Sequence, residues 1–281
     1  MNNIPEDENK IILNSINAHG IYFKKSVRRE LEKVADLRIC EEYPIHYFGG
    51  TQIDILAKYQ HENTLNILTI ECKKAYAPYK KWIFFESCEA EDKLKFHYFY
   101  NDELILQNQS LFIRNHFKVC IEGIDIDLSS SSRNKEDKNK GSMDVIWKAA
   151  NQISKGYYGF LLEELEFREK SSPNELKEYN YYNILPLIVT NAPLLVISKE
   201  HQKASLETGN SDKLIMSEVD YLILNHAFTP PKGVAQTWLQ LDIPGYQNPI
   251  DRGNNSKIAV LVVNAKKLIS LLNLLSHINQ N

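Results

Sequence analysis

Cysteine is scarce: four residues, Cys40, Cys72, Cys88 and Cys120, in 281 positions, none of them in a Cys-x-x-Cys pair. That excludes a disulfide scaffold and a zinc ribbon and fits reduced thiols in a cytoplasmic protein. Glycine and proline are modest at 11 and 10, which excludes collagen-like and Pro-rich architectures. A strong excess of positive charge is also missing. The formal charge is −3, so binding to nucleic acid through overall basicity is excluded, and any such site has to be a local patch. No apolar run reaches the ~20 residues of a membrane span. The stretch from Ile184 to Ile197 is broken by Asn191 and Pro193, and that from Ile258 to Val263 ends at Asn264. The polar, acidic start from Met1 to Lys10 does not read as a signal peptide. There is no Gly-x-x-x-x-Gly-Lys loop for nucleotide phosphates and no Gly-x-Ser-x-Gly elbow. The eight histidines are scattered, and Arg114-Asn115-His116 is too little for an HNH nuclease.

What is present fits one globular α/β domain over residues 1–281 with a mixed sheet. Ile11 to Val34 has apolar residues at helical spacing with a break at Gly20. Its outer side is basic (Lys24, Lys25, Arg28, Arg29, Lys33), read as a solvated face or a phosphate-facing surface. Tyr43 to Phe48, Thr51 to Tyr59 and Leu65 to Ala75 follow as strands, with Gly49-Gly50 as a turn. The third has an apolar centre suited to burial on both sides. Lys80 to Ser87 and Lys95 to Tyr100 read as further strands or an insertion, and 128–142 as a mobile loop. Met143 to Phe167 is a long helical pattern, and residues 184–281 hold further strands and a C-terminal helix.

One constellation carries chemistry. Asp54 lies within the second strand, and Glu71 and Lys73 close the third. Side chains alternate along a strand, so Glu71 and Lys73 share a face. A hairpin would bring Asp54 beside Glu71. Two carboxylates, completed by a carbonyl and waters, suit Mg²⁺. A lysine beside them can orient a water or hold developing charge. Glu-x-Lys occurs five times, at Glu8, Glu71, Glu91, Glu136 and Glu175, so the tripeptide alone decides nothing. Only Glu71 follows an apolar strand with an aspartate in the strand before it. Gln152 is a further candidate, on the helical side shared with Val145 and Ala149. Lys74, Lys80 and Lys81, interleaved with Tyr76, Tyr79 and Trp82, could hold a phosphate backbone and stack on bases. Cys72, on the back of the motif strand, reads as packing.

Asp54 followed by Glu71-Cys72-Lys73, in the order helix, strand, strand, strand, resembles the PD-(D/E)xK nuclease superfamily, the restriction-endonuclease-like nucleases. The resemblance covers Val27 to Lys74, within a core motif of 24–75, and extends to the helix from Met143 and the next strand. The proline that names the family is replaced by Ile53, and a Gln-x-x-x-Tyr motif is not matched, since Gln152 is followed by Tyr157. The resemblance implies a restriction-endonuclease-like core decorated by loop and strand insertions. It implies hydrolysis of phosphodiester bonds with Mg²⁺ or Mn²⁺, with DNA as substrate and RNA left open. Phage defence or DNA repair would be the setting, and a homodimer or a partner protein is compatible with it. Asp54 and Glu71 would bind the metal and Lys73 would serve the attacking water. An acidic residue of the first helix would assist. Taking Val27, Leu31 and Val34 as the buried stripe, Glu30 falls at its edge and Glu32 opposite, so Glu30 is expected as a further metal and catalytic residue. The alternative is a non-catalytic nuclease-fold subunit that binds nucleic acid or a partner protein.

Overall fold

The computed structural model describes residues 6–61, 64–75, 80–87, 95–100, 103–108, 116–128, 144–170, 181–228 and 257–278. Two helices come first among the described residues, α1 (Glu6–Ala18) and α2 (Ile21–Leu31). The break expected at Gly20 is there: its φ of 72° is left-handed, which glycine adopts without a steric penalty. Three antiparallel strands follow, β1 (Arg38–Ile45), β2 (Thr51–His61) and β3 (Thr64–Lys73). Gly49 and Gly50, both at positive φ, turn β1 into β2.

Before returning to the centre of the sheet, the chain makes β4 (Lys80–Glu86), β5 (Lys95–Tyr100), β6 (Glu103–Asn108) and β7 (Lys118–Asp127). Helix α3 (Asp144–Lys170) then leads to β8 (Tyr181–Thr190), which runs parallel to β3 along its whole length, from Thr64↔Tyr181 to Lys73↔Thr190. Strands β9 (Leu194–Ile197), β10 (Ser217–Val219), β11 (Tyr221–Ala227) and β12 (Lys257–Asn264) complete the sheet, and α4 (Leu268–Ile278) ends the described chain. Among the described residues, the order across the mixed sheet is β1-β2-β3-β8-β12-β11-β7-β4-β9-β10, with β5 and β6 attached at β8. The expected α/β class holds. The strands after β3 join the same sheet: β4 pairs with β7 and β9. The loop expected at 128–142 lies, after Leu128, outside the described residues, as do 171–180 and 229–256.

Each face of the sheet has its own core. One holds α3 through Ile146, Ala149, Ile153, Tyr157 and Phe160 against Ile45, Ile53, Trp82 and Val196. The other holds Val27 and Leu31 of α2 and Leu268, Leu271 and Leu275 of α4 against Ile55, Ile70, Val189 and Val263. Helix α3 sits unusually close to the β1–β2 hairpin. A Cβ on Gly156 would stand 2.9 Å from Ile53 Cγ1, and one on Gly159 would run into Ile45 Cγ2. Two glycines in a helix cost about 1 kcal/mol each relative to alanine, and the close approach accounts for their presence. Polar contacts fix the same junction: Glu163 Oε1 accepts from the His46 amide at 2.9 Å. This seating sets the height of α3 over the end of β3. No helix among the described residues is long and apolar enough to cross a membrane.

Candidate metal centre

The ladder between β2 and β3 ends at Ile55↔Ile70, one residue short of Asp54 and Glu71. There the side chain takes over from the backbone: Asp54 Oδ2 accepts from the Cys72 amide at 2.9 Å. Glu71 and Lys73 project from β3 toward α3. The Glu71 side chain is only 2% exposed, and the Lys73 ammonium lies 2.6 Å from its Oε1. Lys73 also donates to Gln152 Oε1 of α3 at 3.1 Å. Asp54, Glu71, Lys73 and Gln152 therefore meet at the C-terminal rim of β3, and Lys73, at 27% side-chain exposure, is more open to solvent than either carboxylate.

Burial pushes the Glu71 carboxyl up to about 7, and the charge of Asp54 adds to this; Lys73 opposes both without cancelling them. Burial and the same two carboxylates raise the Cys72 thiol well above its ordinary value, which disfavours the thiolate, and its side chain packs against the core on the α2 side. A buried carboxylate this hard to ionise marks a place short of positive charge. A divalent cation would relieve that shortage, and Asp54 and Glu71 are the oxygen donors that would hold it. Among the described residues no set of three or more His, Cys, Asp or Glu converges on one point. Mg²⁺ is commonly held by one or two carboxylates with waters completing its shell, so the pair fits that ion and does not fit zinc.

Glu30 does not join the group. Its carboxylate accepts from Lys33 at 2.6 Å, and α2 sends Lys24 toward Asp54 instead. A helical wheel fixes the angle of a residue but not its height. Glu30 lies six residues beyond Lys24, about 9 Å further along the axis and on another side. The basic face of α2 is largely neutralised: Lys24 pairs with Glu42, Lys25 with Glu41, and Arg28 with Glu41 and Glu32. Of the segment after the motif, Trp82 is 1% exposed and packs edge-on to Phe84, so it belongs to the core and is not a base-stacking platform. Lys80 pairs with Asp125 at 3.0 Å, and Lys74 donates to Asn17 O at 2.7 Å. Tyr76 and Tyr79 lie outside the described residues.

Sequence reasoning passed over Glu42. It sits on β1 between the register pairs Glu41↔Ile55 and Tyr43↔Ile53, hence opposite Asp54, and its φ is 52°. That register, once drawn, is the signal that would have found it. Comparison with protein-family models, curated proteins and solved structures finds no match to this chain.

Proposed function

We propose that the chain is a divalent-metal-dependent nuclease of the restriction-endonuclease-like kind, cutting phosphodiester bonds in DNA. The observation that carries this reading is the convergence of Asp54, Glu71, Lys73 and Gln152 at one rim of the sheet. The element order supports it: a helix, three antiparallel strands, a helix, and a strand parallel to the third. The β4–β7 segment enters as an insertion between β3 and α3.

The residues divide the work. The Cys72 amide holds one oxygen of Asp54, which leaves Oδ1 for a ligand. Glu71 supplies a second, buried carboxylate. A Mg²⁺ or Mn²⁺ ion held there would supply an acidified water and neutralise charge on the attacked phosphate. Lys73, steered by both Glu71 and Gln152, stands at the exposed edge, where its ammonium can orient the water or hold charge developing on a phosphate oxygen. Gln152 touches no reacting atom in this scheme; it positions Lys73.

The test is direct. Purified protein is incubated with plasmid, linear duplex, single-stranded DNA and RNA, with Mg²⁺ or with EDTA. Cleavage of DNA with Mg²⁺ and not with EDTA is the expected result. Binding without cleavage of any substrate would overturn the reading in favour of a non-catalytic nuclease-fold subunit.

A further inference from the structure

The proposed centre contains a cation that the motif does not account for. Lys24 Nζ donates to Glu42 Oε1 at 2.6 Å and stands 3.9 Å from Asp54 Oδ1, the oxygen that the Cys72 amide leaves open. The lysine side chain is 15% exposed, so it lies against the rim and does not wave in solvent. Glu42 reaches it from a left-handed backbone conformation, φ 52°, that a non-glycine residue seldom adopts. Burial alone would lower the Lys24 ammonium. The hydrogen bond that it donates to Glu42 and the charge of Asp54 outweigh it, and the group is held charged.

We propose that Lys24 and Glu42 form a counter-charge arm of the Asp54–Glu71 centre. Lys24 neutralises Asp54 while the centre holds no metal, and it turns to a substrate phosphate oxygen once Asp54 is engaged by a divalent ion, with Glu42 keeping it in reach. This inference rests on the metal-dependent reading of the site. Charge accounting supports the order of events. Glu42 and Asp54 balance the two ammoniums of Lys24 and Lys73, and any ionisation of Glu71 makes the bare rim net negative, so it offers phosphate no net attraction. With a doubly charged ion added, the same rim is net positive and attracts it. An ion bound to Asp54 Oδ1 at about 2.1 Å would lie within roughly 6 Å of the ammonium. Repulsion between charges of two and one at that range, even in a water-like dielectric, weakens metal binding by roughly tenfold.

The experiment titrates Mn²⁺ into wild type, Lys24→Met, Lys24→Gln and Lys24→Arg by calorimetry without DNA, then measures kcat and KM for duplex cleavage. Lys24→Met and Lys24→Gln should bind Mn²⁺ roughly tenfold more tightly, with KM for DNA raised more than kcat is lowered. Lys24→Arg should stay near wild type in both. Wild type that binds Mn²⁺ together with neutral variants that bind it equally or more weakly would overturn the role of Lys24 and leave the metal site standing. Wild type that binds no Mn²⁺ would overturn both.

Discussion

Asp54 and Cys72 are joined by a side-chain-to-backbone hydrogen bond, Oδ2 to amide at 2.9 Å, one step beyond the last backbone pair of β2 and β3. It extends the hairpin by a contact that also aims a carboxylate. The two strands stay together where they would otherwise part, and Glu71 is kept beside Asp54.

Lys73→Ala should reduce cleavage by about a hundredfold or more, the usual cost of removing a group that stabilises charge in the transition state. The variant leaves Glu71 buried without its cation, which favours a protonated Glu71 over unfolding. Single-turnover cleavage alongside circular dichroism is the check; a near wild-type rate contradicts the assignment.

Buried Glu71 and buried His226 pull stability in opposite directions with pH. The Glu71 carboxyl is raised from 4.5 to about 7 by burial first and Asp54 second, so the folded state binds that proton more tightly than the unfolded state. Its contribution is therefore full below 4.5 and is lost as pH rises through 7. His226 is lowered from 6.5 to about 4 by burial, so its contribution is full above 6.5 and is lost as pH falls toward 4. Each shift corresponds to about 3 kcal/mol. Relative to wild type, Glu71→Gln should lose stability on acidification from pH 7 to 5, and His226→Gln should gain it. Urea titrations at several pH values measure both differences.

Gly159→Ala should destabilise by about 1–3 kcal/mol, because the added methyl meets Ile45 and forces α3 off the hairpin. Since α3 carries Gln152, cleavage should fall in the same variant even at temperatures where it remains folded. Thermal melting and cleavage assays on one preparation test the link.

Glu30→Gln should leave cleavage unchanged, since its carboxylate is taken by Lys33. Gln152→Ala should lower it by releasing Lys73. Side-by-side kinetics of the two decide between the helical-wheel expectation and the observed geometry.

The three strands that hold the site were legible because each has its own pattern: the Gly49-Gly50 turn, the apolar centre of β3, and polar residues between β2 and β3. β1 begins at Arg38, earlier than expected, because its first half alternates polar residues at an exposed edge and carries little apolar signal. β6 and β7 went unread: β7 mixes Glu122, Gly123 and Asp125 with its apolar positions and gains its place only from β4 and β11 beside it. Within the site, Asp54, Glu71 and Lys73 follow from local alternation. Glu42 follows only once the β1–β2 register is drawn, and Lys24 does not follow at all, because its meeting with Glu42 and Asp54 depends on where α2 lies over the hairpin, which no local pattern encodes.

The most direct measurement is Mg²⁺-dependent cleavage of supercoiled plasmid by wild type and Asp54→Asn under identical conditions. Asparagine retains an oxygen to accept from the Cys72 amide, so the hairpin should stay intact while the charge needed for Mg²⁺ is gone. Nicking or linearisation by wild type, with loss of at least two orders of magnitude in a folded Asp54→Asn variant, is the predicted result. Equal cleavage by both proteins, or none by wild type, would contradict it.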